Sequence, residues 1–338
     1  MSTQRGRIQV SGFETESIEE QATQTVHEDE YAEPTGLIRR IVNRIARDRL
    51  ALAAIVVVVV MAVTALVARP WSAFGTTIQP LSLAPFDPTS TAVGSPHEGP
   101  STTHWMGTDR LGRDMFSRVM VGGRYSISIG LVVTGIASTV GVLYGSISGY
   151  FGGWVDNVMM RVLDLVFAFP ALVLALVLVA LFGGGFWPLV GAFVLVGWAS
   201  YARIIRGEIL KVKQNEYVMA AKALGARDRS VVFRHIIPNA IAPVVVQATL
   251  SVGTVVIGVA ALGFLGLGFD AGTPEWGTML DAERDTLATG AGGSWYWWAT
   301  VFPGLMIFLF VMSMNIIGDA INDALDTQVD DVGHGGGG

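Results

Sequence analysis

The feature that most constrains this chain is a series of apolar runs, each long enough to cross a lipid bilayer. A hydrocarbon core about 30 Å thick needs roughly 20 apolar residues in helical form. Inside it, every backbone N–H and C=O must find a partner within the segment, which favours helices. Residues 50–68 supply the first such run, with an unbroken aliphatic block at 55–60. Further runs follow at about 126–149, 159–182, 187–205, 240–268 and 298–318. The sequence therefore predicts an all-α integral membrane protein with about six transmembrane helices, or five if 187–205 stops short. Trp198, Ser200 and Tyr201 make the end of that run amphipathic. Only 15% of the residues are charged, against about 25% in ordinary soluble domains. The first run begins too late for a cleaved leader and is read as a retained span.

Loop charge gives an orientation. With the N-terminus in the cytoplasm, six spans leave residues 1–49, 150–158, 206–239 and 319–338 inside. Sixteen of the 22 lysines and arginines then lie inside or at inner span ends, eight of them between Arg203 and Arg234. The expectation is a multi-pass protein of the cell (plasma) membrane with both termini cytoplasmic. Its parts are an acidic tail and basic pre-span segment (1–49), a first helix (50–68), a long external loop (69–125), a membrane domain (126–318) and a C-terminal tail (319–338). The external loop is rich in Pro, Ser and Thr and has material for a small cap or an ordered loop. Acidic, aromatic-poor termini are expected to be solvated or disordered. A net charge of −6 offers no basic field for nucleic acid. The absence of cysteine removes disulfides, thiolate chemistry and thiolate metal sites together.

Within the spans, Gly141, Gly145 and Gly149 recur every fourth residue. Small residues at that spacing let two helix backbones approach closely in lipid. Pro170 cannot donate a backbone hydrogen bond and predicts a kink in the third span. Asp164 has Arg161 three residues away, so an ion pair within the helix is the expected arrangement. Gly107-Thr108-Asp109 and Gly112-Arg113-Asp114 read as turns with local Asp hydrogen bonds. Trp276 and the Trp295 to Trp298 cluster read as interfacial anchors. His104 and His235 stand alone, so no metal site is read from either.

The most informative stretch is residues 211–246, between the fourth and fifth spans. Tyr217, Ala220, Ala221 and Leu224 recur at helical spacing and give one small apolar face. Gly225 fits the position after a helix end, where a left-handed backbone is needed. Asp228 or Ser230 is placed to cap the next turn, and Pro238 closes the segment. A basic, amphipathic helical hairpin in a loop is either a docking surface for a partner or an element lying on the anionic inner leaflet.

This stretch resembles the EAA loop of permease subunits of ABC importers, whose short coupling helix seats in a separate ATPase. Here Met219-Ala220-Ala221 is followed by Lys222, Ala223, Leu224 and Gly225, and Ile236-Ile237-Pro238-Asn239 closes the motif. Met219 stands where the motif has glutamate, and Glu216 lies one turn earlier. Residues 104–130, 274–280 and 302–326 resemble the dipeptide, oligopeptide and nickel importer permeases of the same group. An extra first span followed by a long external loop is similar to the second, C-type permease of the heterodimer. The resemblance implies a type I importer architecture for a subunit that moves di- or oligopeptides. It also implies a second homologous permease, two cytoplasmic ABC ATPase subunits and an external substrate-binding protein as partners, besides the lipid membrane. Glu216, Tyr217, Ala220, Ala221, Lys222, Gly225, Pro238 and Asn239 become the residues of ATPase docking.

No cofactor is expected on the chain itself, ATP being used by partner subunits. A P-loop needs a lysine directly after a glycine, and none of Lys211, Lys213 and Lys222 follows one. Paired intramembrane charges or inverted repeats, which a secondary transporter would show, are not seen. A membrane anchor that only recruits a soluble partner is the remaining reading, and it predicts no solute flux through the chain.

Overall fold

A computed structural model describes residues 41–42, 45–73, 76–285 and 296–326. The acidic stretch before residue 41, Gly290 to Gly293, Trp295 and the tail after residue 326 lie outside the described residues. Helix α1 (Arg49–Val67) is followed by a short antiparallel hairpin, β1 (Trp71–Ala73) and β2 (Thr76–Gln79). An irregular segment then leads into α2 (Met115–Phe151), α3 (Gly153–Phe167), α4 (Ala171–Phe182) and α5 (Phe186–Val212). The short elements α6 (Glu216–Ala223), α7 (Asp228–Val231), a π-helical turn (Val232–Ile236) and α8 (Ile237–Ala240) follow. Helices α9 (Ala242–Phe264), α10 (Trp276–Ala282) and α11 (Trp298–Asp326) complete the order.

Among the described residues, five helices are long and apolar enough to cross a membrane, and the bent pair α3–α4 makes a sixth span if counted as one. The chain is a multi-pass membrane protein. Pro170 does more than the expected kink, because α3 and α4 are separate helices bent by 80°. Proline pushes the preceding residue out of the α region, so α3 ends at Phe167 and Pro170 becomes the residue before α4. Asp164 is not paired with Arg161 in its own helix. Its carboxylate meets Arg203 of α5 at 3.3 Å, and the Arg203 guanidinium is held there over the Phe167 ring at 4.0 Å.

The centre of the bundle is the contact between α2 and α5. A Cβ built on Gly141 would lie 2.5 Å from the carbonyl oxygen of Trp198, and one on Gly145 would lie 2.2 Å from that of Ala202. At Gly149 the carbonyl of Arg206 would be 3.1 Å away. The three glycines thus meet three carbonyls that also step by four residues. Missing side chains on α2 become direct backbone contact with α5. Apolar side chains fill the space on either side: Ile129, Val133, Leu189, Val259 and Leu262 in the middle, Ile205, Ile209 and Val244 towards one end. By contrast α1 buries only small residues, Ala51, Ala54 and Ala65, and leaves Leu52, Val56, Val59, Val60, Val63 and Leu66 outward. Its first turn is capped by Asp48, which accepts from the Leu50 amide at 2.8 Å.

Helix α2 starts about ten residues before the predicted 126, at Met115. Arg118 and Arg124, which lie before the predicted span, are satisfied inside the fold. Arg118 donates to the carbonyls of Pro88 at 2.7 Å and Gly272 at 3.2 Å, and Arg124 to those of Leu66 and Arg69. The cap on this end is built from the two expected turns. Gly107 and Gly112 both have positive φ. Asp109 accepts from the Leu111 and Arg113 amides at 2.9 Å and from Arg113 Nε at 2.6 Å. Asp114 caps α2 by accepting from the Ser117 amide, while its other oxygen meets His104 Nδ1 at 2.8 Å.

Trp276 is no interfacial anchor, being 1% exposed. Its indole N–H donates to the Val119 carbonyl at 3.0 Å, and its ring packs near Phe310. Beside it, Glu275 accepts from Ser126 Oγ and the Thr278 amide, each at 2.9 Å. Burial nevertheless pushes its carboxyl above the usual carboxylate range. Glu283 ties the cap to the segment after α10, meeting His97 Nε2 at 2.8 Å and accepting from the Arg110 amide.

The α2–α5 contact makes a direct prediction. Gly145→Ala puts a methyl into the Ala202 carbonyl and should destabilise the bundle by about 1–3 kcal/mol, read as a lower thermal midpoint in detergent. Gly135→Ala, with nothing within 4 Å of the added carbon, should leave the midpoint unchanged or raise it slightly. Equal midpoints for the two variants would contradict the packing role.

Candidate functional site

The loop that carries the residues expected to dock an ATPase begins later than expected. Helix α5 continues to Val212, so residues 206–212 are its last two turns rather than loop. After the Asn215 turn, α6 runs from Glu216 to Ala223 and ends where predicted. Gly225 has φ +80°, its amide bonded to Lys222 O at 3.0 Å and the Ala226 amide to Ala221 O at 3.1 Å. A left-handed residue with this bonding closes a helix by satisfying its last carbonyls. Neither Asp228 nor Ser230 caps the next turn. Arg227 occupies the cap position, with no side-chain hydrogen bond there. Asp228 is drawn elsewhere, accepting the hydroxyl proton of Tyr150 at the end of α2.

One face of the loop is buried against the bundle. Val218 of α6, Val231 of α7, Ile236 of the π turn and Ala240 of α8 pack with Ile205, Ile209 and Tyr150. Polar ties surround this seat. Lys213 Nζ donates to Gly149 O at 2.9 Å. Lys222 Nζ sits 4.5 Å from the centre of the Tyr150 ring, close enough for a cation–π contact. Just behind, Arg206 of α5 makes two parallel hydrogen bonds to Asp156 of α3, each 2.5 Å, and Ser148 Oγ donates to the same carboxylate. Paired donors facing a carboxylate fix orientation as well as distance. The ends of α2, α3 and α5 and the loop are therefore joined by side chains rather than by chain connectivity alone.

The other face is free of the bundle. Leu224 is 89% exposed, Met219 54% and Tyr217 44%, and Glu216 and Ala220 lie on the same open side. Ala221 is half-buried at the base of α6. Lys222 is exposed but turned towards Tyr150. Pro238 and Asn239 are exposed at α8, where Asn239 Nδ2 donates to His235 O at 2.7 Å. The structure thus brings Glu216, Tyr217, Ala220, Lys222 and Gly225 together and leaves Pro238 and Asn239 apart on α8. The sequence reading missed Tyr150, Asp156, Arg206 and Lys213, and gave Asp228 a capping role instead of its tie to Tyr150. Their partners lie tens of residues away, so no local spacing announces them.

A cavity of about 350 Å³ opens between α2, the α3–α4 break, α5 and α9. Ser200, Tyr201, Gln247, Ser251 and Thr254 give one wall polarity, and Phe167 and Phe169 come from the break itself. Non-helical backbone at membrane depth is stable only where it is covered by protein or lines such a space.

The sequence profile described as "Binding-protein-dependent transport system inner membrane component" matches residues 141–331. That interval contains α3 to α11 and the end of α2, with the whole loop. The chain is 35% identical over 232 residues to the dipeptide transport system permease protein of Alkalihalophilus pseudofirmus, covering 69% of this chain and 74% of that one. Identity is also 35% over 286 residues with the oligopeptide transport system permease protein of Bacillus subtilis, covering 85% and 88%. The glutathione transport system permease protein of Shigella dysenteriae is 38% identical over 288 residues, covering 85% and 89%. With a profile spanning more than half of its residues and relatives aligned over most of their length, the chain belongs to the family of inner membrane components of binding-protein-dependent transport systems.

Proposed function

We propose that this chain is a translocation subunit of an ABC importer for peptides, pairing with a second homologous permease and driven by ATPases on separate polypeptides. The observation that carries the reading is the two-faced loop, one side bonded to the end of α2 and packed on α5, the other open. An element held this way transmits force from a partner to the spans without folding or unfolding. Two cytoplasmic ATPase subunits would each seat one such loop, and an external binding protein would deliver cargo at the end built by the Asp109 and Asp114 turns. Both termini then lie in the cytoplasm, as the loop charges favour. The chain acts without a cofactor or ATP site of its own, and its cargo class follows the dipeptide, oligopeptide and glutathione permeases it is similar to.

In this scheme Leu224, Met219 and Tyr217 form the apolar part of the ATPase contact, and Glu216 and Ala220 its edge. Met219 replaces a charged contact by a flexible apolar one that adapts to an irregular cleft. The α3–α4 break and its cavity give this subunit's contribution to the moving part of the path.

Purification of the tagged chain from native membranes in mild detergent tests the assignment. Recovery with a second permease and P-loop ATPases is expected, and recovery alone, under conditions that hold a known importer together, would overturn it. Gly225→Val forces a branched side chain into a left-handed backbone, which costs about 1–2 kcal/mol or more. ATPase attachment should weaken about tenfold while membrane insertion stays normal. Tyr150→Phe removes the hydroxyl bond to Asp228 but keeps the ring beneath Lys222. The ATPases should stay attached, with less peptide moved per ATP hydrolysed. Unchanged coupling in that variant would show that the Asp228 tie carries no force.

A further inference from the structure

Beyond the face assigned to the ATPase, the loop carries a second surface. Arg227, Arg229 and Arg234 line one open pocket together with Ser230 and Phe233. None of the three guanidinium groups is paired with a carboxylate among the described residues. The adjacent acid, Asp228, is already engaged by Tyr150. Three like charges around one pocket repel each other, and an anionic phosphate seated between them offsets that repulsion.

Phe233, 55% exposed, is shared with a neighbouring groove of opposite character. That groove has a volume of about 300 Å³ and is lined by Thr139 and Leu143 of α2, Ile237 of α8 and Ile241, Val245 and Ala248 at the start of α9. It runs along the spans from the level where α9 begins, as a hydrocarbon chain would. A carboxylate on a partner protein would account for the arginines but not for the apolar groove joined to them.

We propose that the two pockets form one site for an anionic glycerophospholipid, with the phosphate among Arg227, Arg229 and Arg234 and one acyl chain in the groove beyond Phe233. Basic pockets at the ends of membrane helices recognise lipid headgroups by this combination of charge and adjacent apolar surface. The lipid would wedge between α2, α8 and the start of α9. Its presence would hold α8 against the bundle and leave α6 to the ATPase.

The test is native mass spectrometry of the full chain, with the subunits that co-purify, after equilibration with equal amounts of dioleoyl phosphatidylglycerol and dioleoyl phosphatidylcholine. The anionic lipid should be retained about tenfold or more over the zwitterionic one. The combined variant Arg227→Gln, Arg229→Gln, Arg234→Gln should lose that preference, and the corresponding triple lysine variant should keep it. Ala248→Trp, which fills the groove and leaves the arginines intact, should lower retention of both lipids. Glycerol phosphate in excess should not displace the bound phosphatidylglycerol. The proposal is overturned if the wild-type chain shows no preference, or if the glutamine variant keeps it. It is equally overturned if glycerol phosphate displaces the lipid, or if the glutamine variant retains lipid but sheds the ATPases, which would assign the arginines to protein carboxylates. Lipid retention is read without transport, so this outcome is separable from that of the importer assignment.

Discussion

The architecture depends on how closely α2 and α5 approach. In lipid there is little hydrophobic drive between helices, so association rests on packing and backbone contact. Gly141, Gly145 and Gly149 place the α2 backbone against the carbonyls of Trp198, Ala202 and Arg206. Everything arranged around that axis, including the cavity beside Tyr201 and the seat of the loop on Ile205 and Ile209, inherits its spacing. A single methylene at Gly145 has no free space to enter, because protein interiors pack at the density of organic crystals.

The same contact also explains how the loop is fixed to the bundle. The last glycine of the series, Gly149, offers its carbonyl to Lys213, and the next residue, Tyr150, holds both Asp228 and Lys222. The bidentate Arg206–Asp156 pair ties α3 into the same corner. Side chains from four elements thus converge within one turn of the α2 terminus. Displacing α6 without moving α2 would mean breaking several polar contacts and the apolar seat at Val218 and Val231 together.

Much of this was legible in the sequence because its causes are local. Apolar length located the spans, four-residue glycine spacing picked out the face of α2, and Gly225 marked the end of α6. The failures share another cause. The first turns of α2 carry Arg118 and Arg124, whose carbonyl partners at Pro88, Gly272, Leu66 and Arg69 are remote in sequence. Trp276 looked interfacial because an indole suits a headgroup as well as it suits a buried slot with one acceptor, and only the fold supplies the Val119 carbonyl. Asp164 chose Arg203 over Arg161 for the same reason, a partner brought by packing. Pro170 was recognised, but whether a proline bends a helix or divides it is decided by the neighbours that cover the freed backbone.

Helix α2 has 37 residues, so at 1.5 Å per residue it extends about 55 Å, well beyond a hydrocarbon core of about 30 Å. Its first turn is fixed by Asp114 inside the cap, and its last turn carries Tyr150 and the loop. One rod therefore reaches both polar ends of the molecule. Behaving rigidly, it converts a tilt of about 10° around its midpoint into a shift of about 5 Å at each end, in opposite directions. Movement imposed on the loop arrives at the His104–Asp114 cap with its sign reversed and its size preserved, and no intervening relay of side chains is needed.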